Sequence, residues 1–287
     1  MRVFVAMTPT IGLALALALA STVLVNLAYL REHAAVSAMP SLSLRRPYRS
    51  LALLLGDRAW LAGFAMESGG FALYVAALAL APLALVQCVG AGGLGLLAVG
   101  SARLAERPLS AREAAGAVIS VAGLLFLALS LIGGETASAR GSAVAIVAWC
   151  AASAALAGVL LAGGARFVGA GAACGISGGL LFSVGDVATK VATEGGARVA
   201  FAAVLVAGYV LGSSLIQIGY QRGAALSVAG TATLLTNAMP IAAGAVLLHE
   251  PIPAGALGVL RIAAFATVVA GAILLARPQG EPATLTA

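Results

Sequence analysis

Long apolar runs, each closed by a short polar or basic stretch, dominate the chain. None alternates with period two, so the runs read as helices and not as barrel strands. A helix needs roughly 20 apolar residues to cross the hydrocarbon core of a bilayer. The pattern predicts about nine such spans, at Thr10–Leu30, Trp60–Leu80, Leu83–Leu104, Glu113–Ile132, Ser142–Leu161, Gly171–Val191, Val199–Tyr220, Leu226–Leu248 and Ala254–Ala276. The first span imitates a signal peptide, since Ala18-Leu19-Ala20 precedes Ser21, but its apolar stretch runs on through Leu30 and is expected to be retained.

Composition explains why lipid must be the solvent. Hydrophobic residues make up 62% of the 287 positions and charged residues 9%, against about 25% charged in a typical soluble domain. The formal charge of +6 sits in short connections, where it orients helices; nucleic-acid binding is not expected. Eleven basic residues (Arg31, Arg45, Arg46, Arg49, Arg58, Arg103, Arg107, Arg112, Arg166, Arg222 and Arg277) fall on one side, and four (Arg2, Arg140, Lys190 and Arg198) on the other. That bias places the N-terminus outside and the C-terminus in the cytoplasm of a multi-pass inner-membrane protein. The one long loop, 31–58, contains SLSLRRPYRSLALLLGDR from Ser41 to Arg58. It reads either as a short helix lying on the cytoplasmic leaflet or as a plain basic loop. Cys88, Cys150 and Cys174 lie inside apolar runs without metal or redox spacing and read as small buried hydrophobes.

Two stretches share a layout. An apolar helix ends in a glutamate (Glu106, Glu250), a proline-containing turn follows (Pro108; Pro251 and Pro253), and the next helix carries Val-Ala-Gly at Val121–Gly123 and Val269–Gly271. Asn26 and Asp186 fall in register in the spans that open each stretch. The reading is all-α: a first four-helix repeat (1–135), a linking helix (136–166) and a second repeat (167–287) of opposite orientation. Inverted repeats of this kind support two near-equivalent states, each open to one side. On these motifs, and on ALALAPLALVQ at Ala77–Gln87 and the helix from Pro240 to Glu250, the chain resembles the drug/metabolite transporter superfamily with its EamA-type repeat. It looks most like the nine-span branch that includes the NIPA-type magnesium transporters and their bacterial relatives. Relatives often carry proline after the glutamine, where this chain has Cys88.

Charges inside a span are costly, at about 2.5–3.5 kcal/mol on insertion scales, and mark functional sites by default. Glu67, flanked by Ser68, Gly69 and Gly70, is the first candidate for binding a cation or carrying a proton, or else for pinning two helices. Asp186 is the second; it can instead pair with Lys190 four residues on. Arg261 can meet either acid, bind an anionic group, or snorkel. Asn26, Gln87, Gln217 and Asn237 can line a pathway or bridge helices. Gly171, Gly175 and Gly179, with Gly208 and Gly212, form small-residue stripes suited to packing within the chain, to sliding, or to a dimer contact. His33 and His249 sit at span ends, no enzyme motif is present, and no cofactor is implied. The expectation is a secondary transporter for a small polar or cationic solute, drug efflux included, with Glu67, Asp186, Asn26, Gln87, Asn237 and Arg261 as its binding residues. The alternatives are a divalent cation such as magnesium, held by Glu67 and Asp186, and a non-transporting scaffold.

Overall fold

The computed structural model describes residues 9–80, 86, 89–90, 92–130, 142–192, 195–247 and 255–276. Among the described residues there is no strand. In chain order the helices are α1 (Pro9–Ser37), α2 (Pro47–Gly56), α3 (Arg58–Leu80), α4 (Gly93–Leu104), α5 (Ala111–Ser130), α6 (Ala143–Val159), α7 (Ala170–Ala192), α8 (Phe201–Tyr220), α9 (Ala225–Leu247) and α10 (Ala256–Ala276). After α6 the backbone continues through a π-turn at Leu160–Gly164 and a last turn at Ala165–Val168. Gly169, at φ 84°, reverses the chain into α7, a conformation that costs a residue without Cβ little.

Five stretches are long and apolar enough to cross a membrane by themselves: Gly12–Ser37, Ala143–Val168, Ala170–Ala188, Gly196–Tyr220 and Ala256–Leu275. Around them the outer surface is apolar, with Val118, Val144, Val259 and Ile262 all more than 60% exposed. This fits a protein embedded in a membrane, where such faces meet acyl chains.

One helix is unlike the rest. In the best membrane-spanning window of α7, 72% of residues are buried, against 22–28% in the other four. Its glycines explain this. A Cβ on Gly179 would stand 2.9 Å from Ala232 Cα, and one on Gly175 would meet the Val228 backbone, so that face lies directly on α9. Gly178 and Gly185 turn toward α8, where a Cβ on Gly208 would lie 2.7 Å from Leu181 O. The small-residue stripes therefore pack within the chain, with α7 between α8 and α9.

Packing among the other helices is pairwise. α1 lies along α3, α5 along α10, and α4 touches α1, α5 and α9. The α1–α3 seam uses Gly63 and Gly70; buried Ser21 donates to Gly70 O at 2.7 Å.

Between residues 31 and 58 one stretch expected as loop is helical, and the stretch left open between helix and loop is a helix. α1 runs through Arg31, Glu32 and His33 to Ser37, seven residues beyond the expected end at Leu30, because Glu32 finds partners inside the bundle. Pro47–Gly56 forms α2, with Leu54 buried while Tyr48, Leu51 and Leu55 are exposed. Its proline opens the helix, where no N–H is needed. Asp57 then caps α3, accepting from Trp60 N at 2.7 Å. Gln221 ties the α1–α2 connection to the end of α8. Its Nε2 donates to Val36 O and Pro40 O, and its Oε1 accepts from Leu42 N at 2.8 Å.

The turn after α4 explains Glu106. Arg107 N donates to Ala102 O and Glu106 N to Arg103 O, with Glu106 at φ 50°. This is a Schellman motif with a non-glycine residue in its left-handed position. Ser110 and Glu113 form a capping box at the start of α5, and Arg107 grips Glu113 through two bonds of 2.8 and 2.7 Å. Glu106 is thus a turn residue; Glu250, Pro251 and Pro253 of the second copy lie outside the described residues.

Candidate functional site

Among the described residues, a cluster of buried polar side chains lies between α1, α3 and α8. Glu32, on α1 and 1% exposed, faces α3 at Gly63, where a Cβ would come within 2.7 Å of its Cγ. The glycine makes room for the acid. Gln217 of α8 donates to Glu32 Oε2 at 2.6 Å and accepts from Trp60 Nε1 at 3.1 Å, so one amide ties three helices together. Trp60 is stacked on Phe64, ring centroids 5.2 Å apart.

Glu67 lies one helical turn beyond Gly63 on α3, and its carboxyl faces that of Glu32. Glu32 is buried and Glu67 half-buried, and two carboxyl groups facing each other there are compatible when a cation or a shared proton lies between them. Tyr29 and Tyr220 border the same pair. His33 stands edge-on to Tyr220, with ring centroids 5.6 Å apart. Its Nε2–H donates to Gly223 O at 3.1 Å, a carbonyl being able only to accept.

Three atoms around this centre are buried without a hydrogen-bond partner: Glu32 Oε1, Tyr220 OH and His33 Nδ1. Buried polar groups are nearly always paired, so several orphans at one place point to a guest or to water. The arrangement presents acceptors, a phenol and aromatic faces, and can hold a cation or pass a proton.

The other expected site residues go elsewhere. Asp186 is held by Tyr209, whose hydroxyl donates to Asp186 Oδ1 across the α7–α8 contact; the side chain of Lys190 lies outside the described residues. Arg261, 6% exposed, donates to Ser130 Oγ at 3.3 Å and to Ser130 O at 2.9 Å. These two bonds tie α10 to α5. Asn26 donates back to Thr22 O at 2.8 Å and lies against Gly93 at the start of α4. Asn237 likewise donates to Thr233 O at 2.8 Å. Both amides satisfy a donor on their own helix and leave an oxygen for other company. Gln87 lies outside the described residues.

Among the expected binding residues that are described, Glu67 alone joins the three-helix centre. Glu32, Trp60 and Tyr220 are not among the residues expected from the sequence, and Gln217, expected either to line a pathway or to bridge helices, bridges three of them here. Glu32 falls in the expected loop 31–58 with its neighbours Arg31 and His33. A usable signal was present: it lies two residues past an apolar run with no glycine or proline before Pro40, so nothing stops the helix. No family model matches the chain, and neither does any curated protein or solved structure.

Proposed function

We propose that the chain is a secondary transporter that moves a small polar or cationic solute across the inner membrane by alternating access. The observation that carries this reading is the Glu32–Glu67 pair, enclosed by three helices beside unpartnered Tyr220 OH and His33 Nδ1. A structural ion pair would bring a cation of the protein to these acids; among the described residues none does, and the cation is left to the solute or to the coupling proton.

Helix contacts support the rest of the proposal: nine crossings in two inverted repeats. With α1, α3, α4 and α5 as one unit and α7 to α10 as the other, the contacts match in order. α1 on α3 corresponds to α7 on α8, α1 on α4 to α7 on α9, and α4 on α5 to α9 on α10. Two contacts, α5 on α10 and α4 on α9, pair each element with its own counterpart, as an internal two-fold requires. α6 is left as the linker.

The second reading is a divalent cation carrier. Magnesium keeps several waters and uses one or two carboxylates, a set that Glu32 and Glu67 supply. Flux into vesicles of the purified chain tests both readings, with magnesium, a proton gradient and cationic compounds run beside Glu67→Gln and Glu32→Gln. Either variant should insert normally and lose most of the flux. A native chain that moves no solute under any gradient points to a scaffold, and flux unchanged in both variants removes the acid pair from the transport site.

A further inference from the structure

The short helix α2 differs from its neighbours in both length and surface. Glu32 of α1 meets Gly63 of α3, and Ser21 meets Gly70, so α1 and α3 run antiparallel. Ser37 and Arg58 therefore share one end of the bundle, and α2 lies between them at that end. Its 10 residues span about 15 Å, half the thickness of the hydrocarbon core, so it is too short to cross.

The two sides of α2 have different surroundings. Leu54, with Leu42 of the preceding turn, is buried in the core of the bundle. Ser50 Oγ accepts from Ser43 N at 2.9 Å and donates to Ser43 O at 3.1 Å, and Gln221 holds Leu42 N. The turn that leads into α2 is thus fixed to the bundle. On the outer side Tyr48 is 88% exposed, and Leu51 and Leu55 are about half exposed. Spacings of three and four residues put these side chains on one face of the helix.

Arginines flank that face. Arg45 and Arg46 precede the helix, Arg49 lies within it and Arg58 follows it, and all four are exposed. Asp57 is the one acid between Ser41 and Arg58, and its carboxylate caps Trp60 N. Among the described residues none of the four arginines enters an ion pair. An apolar stripe and an uncompensated cluster of guanidinium groups therefore share one short surface helix. Acyl chains under acidic headgroups complement both at once.

We infer that α2 is an interfacial helix that binds anionic lipid. Tyr48, Leu51 and Leu55 enter the boundary between headgroups and acyl chains, and the arginines grip lipid phosphates, which their planar forks match. The inference is independent of the transport reading.

The test uses the full chain in nanodiscs of phosphatidylcholine. Tyr48→Trp puts an indole on the outer face, and its emission is read as the difference from the native chain. A small share of the lipid is replaced by chain-brominated phosphatidylglycerol or, separately, by chain-brominated phosphatidylcholine, and quenching is followed. Each arginine near an anionic surface is worth about fivefold in association. Phosphatidylglycerol should therefore associate about tenfold or more tightly than phosphatidylcholine, and adding Arg45→Gln with Arg49→Gln should remove most of that preference. The control pair, Arg103→Gln with Arg166→Gln, takes the same charge from exposed positions on α4 and after α6 and should leave the preference near its native level. Quenching by neither lipid, the outcome if a partner protein or a second copy covers the stripe, overturns the inference. So does equal quenching by both lipids, a preference that survives Arg45→Gln with Arg49→Gln, or an equal loss in the control pair.

Discussion

Gln217 supports the three-helix centre, and replacing it by leucine shows how dry that centre is. Gln217→Leu keeps the side-chain bulk but strands two buried groups, Trp60 Nε1–H and Glu32 Oε2, now held at 3.1 and 2.6 Å. An orphaned buried donor or acceptor costs about 1–3 kcal/mol, so the loss should come to about 2–6 kcal/mol. Hydrogen bonds between membrane helices average only about 0.6 kcal/mol when the unpaired state finds other partners. A loss below about 1 kcal/mol would therefore mean that water already reaches Glu32. A double-mutant cycle with Trp60→Phe separates the bridge from mere packing. Once the indole N–H is gone, Gln217→Leu should cost about 1 kcal/mol less than in the native background. The assay is reversible unfolding in mixed micelles, followed by helical circular dichroism. If the two changes add to within about 0.5 kcal/mol, the bridge through Gln217 is not there and the centre has been misassigned.

Three other outcomes follow from the geometry. Gly175→Ala should lower stability by about 1–3 kcal/mol by overpacking, since its Cβ would fall 2.6 Å from Thr231 Oγ1 and 2.9 Å from Val228 Cα, whereas Gly158→Ala, with nothing within 4 Å, should be neutral or stabilising on the same thermal melt. Ser110→Ala removes the hydroxyl that caps Glu113 N at 3.2 Å and should cost about 1 kcal/mol of unfolding free energy. Tyr209→Phe takes away the donor to Asp186 Oδ1; it should destabilise by about 1–3 kcal/mol, and a melt unchanged from native would show that Asp186 is satisfied by something else.

Much of the architecture was legible from residue order. Each of the nine apolar runs is mainly helical over its described part, because apolar segments in lipid have few alternatives that pair every backbone group. The Gly171, Gly175 and Gly179 stripe also declared a close helix contact in advance. Spelled out too, though not read, was the Ser110-to-Glu113 capping box, whose spacing is a local signal. Misreadings fell where charge was taken as a stop. Arg31-Glu32-His33 looked like the end of a span, and only a partner 185 residues away at Gln217 makes a buried glutamate there acceptable.

Sequence alone therefore determined the solvent, the helices and the small-residue contacts, since these depend on hydropathy and residue size along one segment. Tertiary structure decided which polar residues meet: Glu32 with Gln217 and Glu67, Asp186 with Tyr209, Arg261 with Ser130. The reason lies in rotation. A helix that is apolar on every side carries no pattern to say which face turns inward, so the angle of each about its own axis, and with it every pairing between helices, is set only when the whole bundle packs.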